Sequence, residues 1–160
     1  MLVVSDTSPV NYLVLIDEIA LLPKIYGRIF LPQAVLEELS HTRAPAPVKN
    51  WAAHLPLWVE VRVPHLPASP DLAALGPGER EAILLAEELH ADALLIDDRQ
   101  GHASALKHGL RTIGTTGVLQ QAAALGLIDL PSTISRLLET NFHISDQIIQ
   151  DLLRKPGAPE

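Results

Sequence analysis

Acidic side chains recur at telling places along this chain. Asp6 follows the apolar run Met1–Val4, and Asp97 and Asp98 follow a second apolar run, Ala93–Ile96. Glu38 and Glu79 lie between them, on expected helices. Carboxylates delivered to the same ends of buried parallel strands converge, and converging carboxylates repel unless a cation holds them. Hard oxygen ligands without His or Cys partners suit Mg²⁺ or Mn²⁺. Such ions acidify a bound water and stabilise the leaving oxygen of a phosphodiester. The set therefore points to a divalent-metal site and phosphodiester chemistry. The plainer alternative is that Asp6 and Asp97 cap helices or turns, since Asp is a common cap. Glu79 would be favoured in a first helical turn by the helix dipole, with or without metal. Of the neighbours Glu37 and Glu38, helical spacing turns Glu38 along the core edge and leaves Glu37 to solvent.

Weaker candidates surround these acids. Ser8 lies close enough to Asp6 to orient it, and Ser8-Pro9 also reads as a helix start, with Ser as N-cap. Arg99 follows the acid pair and suits a phosphate contact or a pairing with Asp98. Gly114-Thr115-Thr116-Gly117 follows an expected strand and opens a helix, where backbone N–H groups can receive a phosphate. It lacks the full phosphate-loop pattern, so a turn with Thr115 or Thr116 as cap is the simpler reading. The seven histidines show no metal-ligand spacing and read as surface residues.

The elements that must position these residues alternate. Strands are expected at Val3-Val4, Arg28–Leu31, Trp58–Val63, Ala93–Ile96 and Arg111–Ile113. Helices are expected after Ser8, after Pro32, over Val48–Leu55, Glu79–His90 and Gln100–His108, from Thr115 or Thr116 to Leu125, over Pro131–Thr140, and over Ser145–Arg154. Asp17 divides two short helices, and Gly27, Gly109 and Gly126 stop helices. Pro64 to Pro77 is a proline-rich connection and the least structured stretch. Strands alternating with helices predict a three-layer α/β/α fold with a parallel sheet of four or five strands. Ligands of such sheets bind at the carboxyl ends of the strands.

Composition bounds the rest. The chain has 160 residues, 48% of them hydrophobic and only 4% aromatic, so its core is aliphatic. The expectation is one domain over residues 1–155 and a disordered tail over 156–160. No apolar run reaches the ~18 residues of a membrane span, and no secretory signal is visible. The absence of cysteine excludes disulfides and thiolate metal sites and fits a cytoplasmic protein. A net charge of −7 argues against strong non-specific nucleic-acid binding. Any such substrate would be engaged through metal and a few arginines.

Taken in order, several stretches resemble one family. They are Val4-Ser-Asp-Thr-Ser-Pro9, Leu31-Pro-Gln-Ala-Val-Leu-Glu-Glu-Leu39, Leu75-Gly-Pro-Gly-Glu79 with Ala82, Leu94-Leu-Ile-Asp-Asp-Arg99, and Ile113-Gly-Thr-Thr-Gly-Val-Leu119 followed by Gly126-Leu-Ile128. The chain resembles the PIN-domain ribonucleases, including the VapC-like toxins, and most closely a PIN-related prokaryotic family formerly of unknown function. The resemblance implies a cluster of acids that holds Mg²⁺ or Mn²⁺ and cleaves single-stranded RNA with a metal-activated water. The family's acids fall on Asp6, Glu38, Glu79 and Asp98, with Asp97 as a close alternative to the last; its supporting hydroxyl falls on Ser8. Asp6, Glu79 and Asp98 would bind the first metal, and Glu38 would complete the cluster or orient the attacking water.

This chain departs from the VapC-like pattern in two places. Glu79 stands where those toxins usually have Asp. Arg99-Gln-Gly-His102 replaces an aromatic residue, and His102 stands where the closer family often has Arg. The resemblance also implies a homodimer and a cognate antitoxin that shields the groove. The C-terminal apolar residues Ile144, Ile148, Ile149, Leu152 and Leu153 offer a packing surface for a partner. A phosphatase with Asp6 as nucleophile would need a second Asp at position 8, where Ser stands. The remaining alternative is a PIN-like binding module without catalysis.

Overall fold

A computed structural model describes residues 1–154. Five short apolar runs become strands: β1 (Val3–Ser5), β2 (Ile29–Pro32), β3 (Val59–Arg62), β4 (Ala93–Leu95) and β5 (Thr112–Ile113). They pair in parallel in the order β3-β2-β1-β4-β5. Central parallel strands are covered on both faces and so are apolar throughout. Successive side chains alternate between faces. Val3, Ile29, Leu31, Ala93 and Leu95 therefore enter one core, and Val4, Phe30, Leu94 and Ile96 enter the other.

Helices fill the two outer layers. The first core is covered by α1 (Thr7–Leu15), α2 (Leu21–Tyr26), α4 (Ala46–Ala53), α7 (Thr115–Ala124), α8 (Leu130–Leu138) and α9 (Asp146–Arg154). The second is covered by α5 (Pro77–Glu88) and α6 (Arg99–Lys107). Between these layers α3 (Gln33–Leu39) packs against α5, and its Val35 and Leu39 enter the first core.

The order of the strands sets the position of the cleft. From β1 the chain steps outward to β2 and β3, then returns through α5 to β4 on the other side of β1. The connections diverge at the carboxyl ends of β1 and β4, which opens the crevice where such sheets take ligands. Asp6 is the first residue beyond β1, and its N–H donates to the Leu95 carbonyl at 2.8 Å. Asp97 and Asp98 follow β4 across the same crevice.

Several sequence expectations shift by a residue, for physical reasons. The first helix starts at Thr7, with Asp6 in the cap position, so Ser8 is not the cap. Pro9 is accommodated in the first turn, where its missing N–H has no helical partner to lose. The seventh helix is capped by Gly114, not by Thr115 or Thr116. Asp17 does divide α1 from α2, with φ +61°, and Gly27 ends α2 with φ +81°. The connection after β3 is less open than its prolines suggest. It holds a 3₁₀ turn at Pro70–Leu72 and buries Leu72 and Leu75 in the second core. Burying a leucine completely stabilises by about 1.5–3 kcal/mol, so this segment is anchored.

The C-terminal apolar face is also largely internal. Leu152 is buried, and Ile144 and Ile149 pack on the first core; Ile148 and Leu153 remain exposed. The tail expected over 156–160 lies outside the described residues. No helix among the described residues is long and apolar enough to cross a membrane.

Candidate active site

The crevice is an open groove of about 980 Å³. Asp6, Ser8, Glu38, Glu79, Asp97, Asp98 and Arg99 all line it. The acids come from separate elements. Asp6 directly follows β1, Glu38 sits in the last turn of α3, Glu79 in the first turn of α5, and the Asp97-Asp98 pair between β4 and α6. Glu37, one residue from Glu38, points to solvent.

Most of these carboxylates are tied to the start of a helix. Glu38 Oε1 accepts the Thr7 hydroxyl at 2.5 Å, and its Oε2 accepts the Gly78 N–H at 2.9 Å. Glu79 accepts the Gly76 N–H at 3.1 Å, an N3 acid reaching back to the cap of its own helix. Asp98 caps α6 by accepting the Gly101 N–H at 2.7 Å. Asp97 accepts the Ser8 hydroxyl at 2.8 Å, the Thr115 hydroxyl at 2.6 Å and the Thr115 N–H at 2.7 Å. Each of these bonds joins a carboxylate to N–H or hydroxyl donors that the fold places beside it, in part through helix N-terminal polarity.

Asp6 differs from the rest. It is only 1% exposed, and its Oδ1 is buried without any hydrogen-bond partner. Burial pushes its pKa up to about 8. The Thr7 N–H pulls the other way, and the charges of Glu79, Glu38 and Asp97 push it further up. Burial, then Asp98 and Glu38, also raise Glu79. Among the described residues no lysine, arginine or histidine forms an ion pair with any of these acids.

The donor set suits a hard divalent cation. It consists of carboxylate oxygens, and at its centre one buried oxygen lacks a partner. As the side chains stand, no three His, Cys, Asp or Glu groups among the described residues are drawn together closely enough to chelate one ion. The bonds to Thr7, Gly78, Ser8, Thr115, Gly76 and Gly101 hold the acids around the groove instead of against one another.

One sequence reading needs correction. Ser8 is bonded to Asp97 and not to Asp6. Thr115 is fully buried and bonds Asp97 through both its N–H and its hydroxyl, so it supports that acid. Some groove residues carried no role in the sequence reading. Thr7 holds Glu38, and Gly78 leaves room for it: a Cβ there would stand 2.6–2.9 Å from the Glu38 carboxylate. Gly-Pro-Gly before an acid was the available signal for Gly78, and a hydroxyl beside Asp6 the signal for Thr7. Asn11, Tyr12, His102, Asn141 and Phe142 also line the groove.

The model of the family DUF3368, described as a PIN domain, matches residues 2–158. The chain belongs to the PIN-domain family. No curated protein and no solved structure matches it. PIN domains are generally nucleases acting on RNA or DNA, typically with Mg²⁺ or Mn²⁺. The five-stranded parallel sheet with flanking helices is consistent with that fold. In this PIN domain the acids line a groove where the strand order reverses, the place where open parallel sheets take ligands.

Proposed function

We propose that this PIN domain is a Mg²⁺- or Mn²⁺-dependent endoribonuclease that cleaves single-stranded RNA, and that it acts in the cytoplasm as the toxin of a type II toxin–antitoxin pair. One observation carries the metal-dependent reading: the buried, unpartnered Asp6 Oδ1, set among acids that no basic side chain of the described residues neutralises. Asp6, Glu79 and Asp98 would hold the ion, with Asp97 beside them and Glu38 completing the cluster. When bound, the ion supplies Lewis-acid chemistry, acidifying water and offsetting charge on the leaving oxygen of the phosphodiester. Burial of Asp6 removes competing water from the centre of the cluster. Glu38, held by Thr7 and Gly78, lines the same groove and would orient the attacking water.

The groove wall supports a single-stranded substrate. Tyr12 and Phe142 pack edge to face with centroids 4.8 Å apart, and the Tyr12 hydroxyl donates to Asn141 Oδ1 at 2.8 Å. Aromatic rings and side-chain amides bind bases by stacking and by their edges, which only unpaired bases expose. A net charge of −7 leaves little attraction for phosphate, so the salt dependence of binding is expected to be shallow. Ile148 and Leu153, exposed on α9, would take part in contacts with an antitoxin or a second copy.

The test is cleavage of a short single-stranded RNA with and without Mn²⁺. The wild type is expected to cut only with the metal, and Asp6→Asn to fall to background while keeping its fold, because the isosteric amide preserves shape and removes charge. Cleavage by Asp6→Asn at the wild-type rate would refute the assignment. Absence of both cleavage and Mn²⁺ binding in the wild type would favour the non-catalytic module.

A further inference from the structure

We propose that Tyr12, Asn141 and Phe142 form a base-selective subsite beside the acids, which takes one unpaired base next to the scissile bond and favours uracil over cytosine; the subsite rests on the reading of the groove as an RNA site. The register of α1 puts it there. Thr7 and Ser8, in the first turn, bond Glu38 and Asp97. Asn11 and Tyr12 each stand four positions further on and continue the same two rows along the helix. Both line the groove. Four residues of helix rise about 6 Å, comparable with the reach from a phosphate to the base of its own nucleotide. Burial, and then the charge of Asp97, raise the Tyr12 pKa, so the ring stands within the field of the acids. A phosphate held at the acids thus has its base within reach of Tyr12.

The segment after α8 supplies the other two residues and is tied down. Thr140 Oγ1 donates to the Leu137 carbonyl at 2.5 Å and accepts the Phe142 N–H at 3.1 Å, which fixes the turn that carries Asn141 and Phe142. Just beyond, Ile144 packs on the first core. Of the six aromatic residues, Tyr12 and Phe142 are the two that line the groove, and their edge-to-face contact holds both rings. Half-buried rings on a fixed turn offer a base an apolar surface at little ordering cost.

Asn141 supplies the selectivity. Its Oδ1 accepts the Tyr12 hydroxyl at 2.8 Å, and the residue is exposed. With the oxygen so engaged, the amino group and its two N–H donors are the end left to meet a ligand. Uracil and cytosine are of one size and stack alike. They differ at C4, where uracil carries an accepting oxygen and cytosine a donating amino group. A donor at that position gains a hydrogen bond with uracil and opposes the amino group of cytosine.

Anisotropy titrations of short labelled oligouridylate and oligocytidylate with the whole chain, in Ca²⁺ and again in EDTA, test this assignment. The wild type is expected to bind oligouridylate roughly 10-fold more tightly, the lower end of what a well-placed base contact discriminates. Tyr12→Phe keeps the ring but releases the amide, and is expected to bring the two affinities together. Asn141→Asp offers acceptors only and is expected to invert the preference, since the cytosine amino group then finds a partner. Residues serving packing alone would leave the ratio unmoved in both variants. Equal binding of the two oligomers by the wild type would overturn the subsite, and so would an unchanged ratio in a folded Asn141→Asp protein. Mn²⁺-dependent cleavage of single-stranded RNA would in either case still uphold the nuclease. A wild type that binds neither oligomer in either condition would instead remove the RNA reading of the groove, and the subsite with it.

Discussion

Acidic side chains gather at both ends of α5 and α6, with opposite electrostatic outcomes. At the N-terminal ends lie Glu79 and Asp98, beside Asp6, Glu38 and Asp97, and among the described residues no basic side chain pairs with them. At the C-terminal ends His108, the C-cap of α6, stands between two carboxylates. Its Nε2 is 2.8 Å from Asp71 and its Nδ1 is 2.9 Å from Glu87. Hydrogen bonding to Glu87 and Asp71 raises the His108 pKa against the effect of burial. Asp71 moves the other way, lowered by its bonds to Ser69 and His108. In the cleft, by contrast, Asp6 and Glu79 are raised, chiefly by burial and then by like charge. The paired end fastens the 3₁₀ turn to two helices. The unpaired end opposes folding at neutral pH. Perturbed groups of this second kind mark functional sites.

That contrast can be broken most forcefully at Asp6. Its folded pKa, about 8, lies above the ordinary 3.8. Between these values the native state of the metal-free protein holds more protons than the unfolded state. Its contribution is thus fully present below pH 4 and is lost as pH rises towards 8. In EDTA, Asp6→Asn is expected to flatten this slope and to stabilise the fold on the order of a few kcal/mol at pH 7. Denaturant melts across the pH range measure it. An unchanged slope would show that Asp6 is not the strained group.

The smaller effect lies at the paired end. His108→Gln is expected to lower stability by about 1 kcal/mol, the scale of an ordinary net hydrogen bond once solvent screening at these exposed carboxylates is counted, or roughly 2–4 °C in a chain of this length. Because the histidine pKa is raised, the loss should be largest below its ordinary value of 6.5 and fade as pH climbs through the folded value. Mn²⁺ affinity should not change. A drop in affinity would mean that the two ends are coupled through α5 and α6.

The legible part of this molecule was the part written in local pattern. Apolar runs ending in acids gave β1 and β4 together with Asp6, Asp97 and Asp98. The switch of period gave the helices, and Gly27 marked a true helix end. Helical spacing alone separated Glu38 from Glu37. What stayed hidden depends on partners far apart in sequence. Ser8-Pro9 looks like a cap because cap chemistry is local, yet its hydroxyl serves Asp97, 89 positions away. His108 reads as a surface histidine because Asp71, 37 positions away, cannot be seen beside it. Tyr12 and Asn141 meet across 129 positions. No short-range pattern encodes such meetings; only the order of the strands does.

Anomalous diffraction from crystals of the whole chain soaked in saturating Mn²⁺ tests the central claim most directly. The account predicts an ion coordinated by Asp6 Oδ1 together with at least one of Glu38, Glu79, Asp97 and Asp98. Manganese found only elsewhere, with that oxygen still buried and unpartnered, would contradict it.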